Sequence, residues 1–113
     1  FVTIASKKIN ELIPNTRIYS FGHLGDGNIH FNMIQPVNYK NNFDNHRDEI
    51  YQLVNDLVYD LGGSFSAEHG IGQIKKDSLI KYKNVNEIEL MKKIKLSLDP
   101  KNIFNPGKIF DLD

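Results

Sequence analysis

The chain has 113 residues, and its fourteen basic and fourteen acidic side chains give a formal net charge of zero. This length corresponds to one small domain or to part of a larger one. The balanced charge excludes the electropositive surface of a nucleic-acid-binding protein. Because there is no cysteine, disulfides, thiolate metal sites and cysteine nucleophiles are excluded as well.

Apolar residues make up 40% of the chain and charged residues 25%, as in ordinary globular proteins. No apolar run approaches the ~20 residues of a membrane-spanning helix. The sequence begins at Phe1 without a signal-peptide pattern, so we expect a fragment or a trimmed product, with cytoplasmic residence as the default.

Hydrophobic periodicity predicts four helices and one β-hairpin. The predicted helices cover residues 2–13, 43–61, 71–81 and 86–98, and the predicted strands cover 16–24 and 29–35. A short strand or turn is expected at 63–67 and a turn at 105–108. Helices mixed with an antiparallel hairpin indicate an α+β fold, with the hairpin packed on the helices.

The hairpin contains the most informative spacing in the sequence. If Asp26 and Gly27 form a two-residue type I′ turn, His23 lies directly opposite His30. Cross-strand partners have Cβ atoms roughly 4.5–5.5 Å apart, and two nitrogens on one tetrahedral metal lie ~3.3 Å apart. Two such imidazoles can therefore bind one ion. The same face would carry Tyr19, Phe21, Asn32 and Ile34, and the opposite face is mostly apolar.

A second candidate element is the segment Ser66-Ala67-Glu68-His69-Gly70-Ile71-Gly72. Glu68 can complete a set of two histidines and one carboxylate that leaves coordination positions open. Both Glu68 and His69 can serve one site only if the chain turns there, which Gly70 makes easy. The alternatives are histidines on an exposed sheet face, and a helix-entry acid beside a solvated histidine.

Three motifs carry a resemblance to a known family. Residues 22–30 (Gly-His-Leu-Gly-Asp-Gly-Asn-Ile-His) and 66–72 resemble the two signatures of the FAD-linked oxidase C-terminal domain. Residues 98–108 are similar to its terminal signature. This is the flavoprotein group of the D-2-hydroxyglutarate dehydrogenase, D-lactate dehydrogenase and glycolate oxidase type, and the resemblance covers about residues 16–110.

The resemblance implies a fold, a reaction and a set of site residues. Members bind FAD in a separate N-terminal domain and oxidise a D-2-hydroxy acid to a 2-oxo acid, and their C-terminal domain is a ferredoxin-like α+β framework. His23, His30 and Glu68 are implied ligands of a divalent metal, with zinc first and manganese or iron as alternatives. The resemblance also makes His69 the general base and Asn32 a substrate contact.

By this resemblance, residues 1–113 are a partial substrate- and metal-binding domain without the FAD-binding domain. We therefore expect the isolated chain to be inactive. Its expected partners are an FAD-binding domain or subunit, a small 2-hydroxy acid and a second copy docked on the uncovered site face, with no nucleic acid and no membrane span. The alternatives are a non-catalytic metal-binding or partner-binding subunit, a non-haem iron oxygenase and a purely structural domain.

Overall fold

The computed structural model describes residues 1–112. Its elements are α1 (Val2–Leu12), β1 (Arg17–His23), β2 (Asn28–Ile34), a short 3-10 helix (Phe43–His46), α2 (Arg47–Asp60), α3 (Lys76–Tyr82) and α4 (Val85–Leu98). This composition confirms the predicted α+β class. The chain forms two compact units, Phe1–Ser64 and a second one that begins at Phe65. No helix in residues 1–112 combines the length and the apolar character needed to cross a membrane.

The core of the first unit lies between the hairpin and two helices. Ile9 and Ile13, from α1 and its end, cluster with Ile50 of α2, and all three are buried. Ile18, Phe31 and Met33 of the hairpin pack against this cluster. Successive strand residues point to opposite faces, so these contacts define the inner face of the sheet. The prediction that the hairpin packs on helices through its apolar face is confirmed.

The predicted strand register is wrong by two residues. His23 pairs with Asn28, and His30 pairs with Phe21, so the two histidines are not directly opposite. The strands are joined by the four residues 24–27. A type I′ turn needs positive φ at both central residues, but of Asp26 and Gly27 only Gly27 has it, at 69°. Instead, Asp26 Oδ1 accepts a hydrogen bond from the Asn28 backbone N–H at 3.1 Å, which closes the longer loop.

The predicted faces of the hairpin survive this correction. Side chains alternate with a period of two, so a two-residue shift returns each one to its original face. The outer face therefore carries the residues expected there, which are Tyr19, Phe21, His23, His30, Asn32 and Ile34.

The second unit departs further from the prediction. Helix α3 begins at Lys76 rather than at residue 71, because residues 72–75 form turns, and residues 63–67 form no strand. In α4, the helical spacing of Ile88, Met91, Ile94 and Leu98 predicts one inward-facing apolar stripe. Ile88 is buried, but Ile94 and Leu98 are 53% and 79% exposed. The C-terminal tail covers only part of α4, leaving an apolar groove of about 430 Å³ between them. Helical spacing predicted the apolar stripe correctly but not how much of it is covered.

Asparagines mark several turns of the backbone. Positive φ angles of 46–64° occur at four asparagines outside the helices and strands: Asn15, Asn38, Asn102 and Asn105. Asparagine tolerates this left-handed region better than other residues with a side chain, because its short amide can bond locally.

A buried carboxylate connects α4 to the tail. Asp99 accepts the backbone N–H groups of Ile103 and Phe104, both at 2.9 Å, and an ammonium hydrogen of Lys95. Lys95 also donates to the Phe104 carbonyl at 2.6 Å. The hydrogen bond from Lys95 lowers the pKa of Asp99 below its ordinary 3.8; burial opposes this shift and the two backbone bonds reinforce it.

Gly22 lies where the two strands approach too closely for any side chain. A Cβ atom at this position would lie 2.0 Å from the carbonyl oxygen of Asn28. We expect Gly22→Ala to lower the free energy of unfolding by about 1–3 kcal/mol, as other overpacked sites do. Gly25→Ala is the control, since nothing lies within 4 Å of its Cβ position. Urea unfolding followed by circular dichroism measures both, and equal losses would contradict the steric account.

The Asp99 contacts predict a pH dependence of stability. A carboxyl with a lowered folded pKa stabilises the fold fully above its unfolded pKa, and this contribution is lost as pH falls through the lower folded value. We therefore expect the free energy of unfolding to decrease as pH falls below 3.8. Asp99→Asn should flatten this dependence in urea unfolding between about pH 5 and pH 2. The exposed Asp60→Asn is the control; a wild-type pH profile in Asp99→Asn would refute the assignment.

Candidate functional site

The outer face of the hairpin presents a polar and aromatic surface. His30 is half-buried, whereas His23 and Asn32 are exposed. The His30 ring stacks on Phe21, with ring centroids 5.0 Å apart and planes 8° from parallel. This stacking limits the rotation of the His30 imidazole. The aromatic neighbour therefore orients one of the two predicted metal-binding histidines.

His23 and His30 are diagonal neighbours on this face. His23 pairs with Asn28, which is two residues before His30 on β2. Diagonal positions lie about 7–8 Å apart and remain within reach of long side chains. His23 also points towards the turn, with Nδ1 4.0 Å from Asp26 Oδ2. The corrected register thus keeps both imidazoles on one exposed surface, although not side by side.

Glu68 and His69 lie in a turned loop of the second unit, and both are exposed. The Ser66 hydroxyl donates to the Gly70 carbonyl at 2.7 Å and closes the loop around them. Gly70 has a φ of 65°, a conformation that glycine adopts without the penalty of a Cβ atom. The chain thus turns at this motif, which is the condition for Glu68 and His69 to serve one site.

Two contacts hold the C-terminal tail, one on the end of this motif and one on α3. The Ile109 backbone N–H donates to the Gly72 carbonyl at 2.7 Å. Lys76 Nζ lies 2.8 Å from both carboxylate oxygens of Asp111. Within the second unit, the tail therefore contacts both Gly72, at the end of the 66–72 motif, and the first residue of α3.

The predicted metal ligands have side chains of the types that bind divalent ions. Imidazole nitrogens and a carboxylate oxygen are common zinc ligands and also suit iron. Among residues 1–112, however, no group of three or more histidine, aspartate or glutamate side chains is assembled as a metal site. His23 and His30 are placed on the outer face of the first unit, and Glu68 is placed in the loop of the second. The ligand set stays a prediction.

Sequence reasoning missed three residues that shape these elements. The sequence places Phe21 on the outer face but does not predict its stacking on His30, and it does not predict the loop contacts of Ser66 and Lys75. Lys75 Nζ donates to Ser66 Oγ at 3.4 Å. The position of Ser66 at the start of its motif was the one available signal, because serine side chains commonly bond nearby backbone groups.

Comparison with known proteins identifies the family. The family model described as FAD linked oxidases, C-terminal domain, matches residues 3–109. The chain is 42% identical over 103 residues to D-2-hydroxyglutarate dehydrogenase of Stutzerimonas stutzeri, which covers 90% of this chain and 22% of that protein. It is 36% identical over 105 residues to D-lactate dehydrogenase of Archaeoglobus fulgidus, covering 91% of this chain and 23% of that protein.

A third relative is glycolate oxidase subunit GlcD of Bacillus subtilis, 33% identical over 109 residues, or 95% of this chain and 23% of that protein. The chain thus spans less than a quarter of the length of these three relatives. The match over nearly all of its residues shows that the chain belongs to the FAD-linked oxidases, in the region of their C-terminal domain.

Proposed function

We propose that the chain supplies the substrate- and metal-binding region of an FAD-dependent oxidoreductase that converts a D-2-hydroxy acid to a 2-oxo acid. The observation that carries this proposal is the outer hairpin face, where His23, His30 and Asn32 lie together in a chain that matches the family over residues 3–109. The names of the relatives, which refer to hydroxyglutarate, lactate and glycolate, support a small 2-hydroxy acid as substrate.

In this proposal, His23 and His30 bind a divalent metal from the outer face, and Glu68 supplies the carboxylate ligand. Zinc suits these donors best, with manganese or iron as alternatives. When bound, such an ion acts as a Lewis acid that makes the substrate hydroxyl more acidic. The stacking of His30 on Phe21 supports the role of His30, because a ligand held in one orientation loses less freedom on binding.

His69 is the proposed general base. One of its imidazole nitrogens accepts the proton of the substrate hydroxyl, and the Asn32 amide holds the substrate from the hairpin face. The 2-hydroxy acid becomes a 2-oxo acid by losing this proton together with a hydride from C2, and bound FAD supplies the hydride acceptor.

The flavin-binding region is the proposed partner. Tyr19, Phe21 and Ile34 flank the histidines and are 52%, 59% and 43% exposed, so large side chains on this face are open to a partner. A flavin-binding domain or subunit that covers this face would exclude water from the reacting groups. We accordingly propose that the 113-residue chain alone neither retains FAD nor oxidises a hydroxy acid.

The ligand roles predict selective loss of metal binding. Zinc titration of the chain, followed by calorimetry, should show one site in the wild type and a loss of affinity in His23→Ala, His30→Ala and Glu68→Gln. His46→Gln is the matched control, because His46 contacts Tyr39 and Glu49 instead of lying on the outer face. Wild-type affinity in all three ligand variants, or no site in the wild type, would contradict the metal assignment.

The base role predicts a loss of turnover without a loss of metal. With a flavin-binding part added to the chain, His69→Gln should lower kcat by about 10²–10⁴-fold, the usual contribution of general-base catalysis. Zinc affinity should remain within a few-fold of the wild type. A kcat close to that of the wild type would exclude His69 as the base, and metal binding without any restored oxidation would favour a non-catalytic metal-binding subunit.

A further inference from the structure

We propose that Ser66 and Lys75 are positioning residues that set the orientation of Glu68 and His69. This inference rests on the proposed function, because it assigns the two residues a role through the ligand and the base. It is carried by contacts within the second unit, namely Ser66 Oγ to the Gly70 carbonyl and Lys75 Nζ to Ser66 Oγ.

The direction of these hydrogen bonds follows from the groups involved. A lysine ammonium can only donate, whereas a serine hydroxyl has one proton to donate and lone pairs that accept. Ser66 Oγ therefore accepts from Lys75, which leaves its single proton for the Gly70 carbonyl 2.7 Å away. A charged donor polarises the hydroxyl and strengthens the bond that it donates. Lys75 and Ser66 thus act as one unit.

The bond from Ser66 to Gly70 encloses three residues, and two of them are Glu68 and His69. Consecutive side chains point to opposite sides of an extended strand. Glu68 and His69 can therefore serve one site only if the chain turns between Ser66 and Gly70, as this bond makes it do. Glu68 and His69 are exposed, whereas Ser66 and Lys75 are half-buried. The two proposed functional side chains therefore project from a loop whose closing bond is exposed, while the Lys75 contact that supports this bond is partly buried.

A second contact fixes the far end of the loop. Ile109 has a φ of 69°, a rare conformation for a β-branched residue. Such conformations persist only where surrounding contacts enforce them, and the Ile109 N–H bonds the Gly72 carbonyl at 2.7 Å. Ser66 and Lys75 thus hold one end of a loop that the tail holds at the other. Removal of the hydroxyl should loosen Glu68 and His69 while Gly72 remains anchored.

The test compares Ser66→Ala with Ser66→Thr, which keeps a hydroxyl. The first measurement is the backbone order parameter of Glu68 and His69 from ¹⁵N relaxation of the chain. We expect order parameters of about 0.85 in the wild type and in Ser66→Thr, and below about 0.6 in Ser66→Ala. Lys75→Met should give an intermediate decrease, because the hydroxyl bond remains without its charged donor.

The second measurement is zinc affinity by calorimetry. Loss of an interaction that orients a metal ligand typically weakens metal binding about 10–100-fold. We expect this loss in Ser66→Ala, its recovery in Ser66→Thr, and a thermal midpoint close to that of Ser97→Ala. Ser97→Ala is the matched control, since it removes another serine bond to a backbone carbonyl, from Ser97 Oγ to Ile94 at 2.8 Å within α4.

The two measurements separate this inference from the proposed function. Unchanged order parameters in Ser66→Ala overturn the positioning role, whatever the zinc result. If Glu68→Gln weakens zinc binding and Ser66→Ala does not, the inference fails while the ligand assignment stands. If the wild type binds no zinc, the metal assignment fails, and the order parameters still decide whether Ser66 orders the loop.

Discussion

The packing of one hairpin face against α1 and α2 is the constraint on which the first unit depends. Ile18, Phe31 and Met33 lie against Ile9, Ile13 and Ile50, and burial of this apolar surface is the main stabilising contribution available to a two-stranded sheet. Because strand side chains alternate, burying these residues directs His23, His30 and Asn32 to the other side. The candidate site is thus a consequence of the core: its histidines share a face because their neighbours are buried.

The faces of the hairpin could be predicted from the sequence, but its register could not. Alternation of apolar and polar residues determines which face of the sheet each side chain occupies, and a two-residue shift leaves that face unchanged. The register depends on the loop, where Asp26 bonds the Asn28 N–H and the chain uses four residues instead of two. An Asp-Gly pair is compatible with both loops, so the choice rests on local hydrogen bonds that the pattern does not specify.

In the second unit, the motif drew attention to candidate residues but did not predict their surroundings. Glycine chemistry makes a turn at Gly70 easy, and one is present. The late start of α3 and the exposure of Ile94 and Leu98 depend on how loops and tail pack. The same holds for the contact of Lys75 with Ser66, nine residues apart, which needs the loop closed before it can form. Short motifs point to candidate side chains, whereas the contacts that support these side chains become visible only when the chain is folded.

The left-handed asparagines bear on how the unfolded chain behaves. At Asn15, Asn38, Asn102 and Asn105 the backbone adopts a conformation for which glycine is the usual choice. A glycine there would sample more conformations before folding, and ordering it would carry a larger entropy loss. With asparagine at these bends, the unfolded chain has fewer accessible conformations than it would have with glycine. These four asparagines therefore reduce the entropy lost on folding, compared with glycines at the same bends.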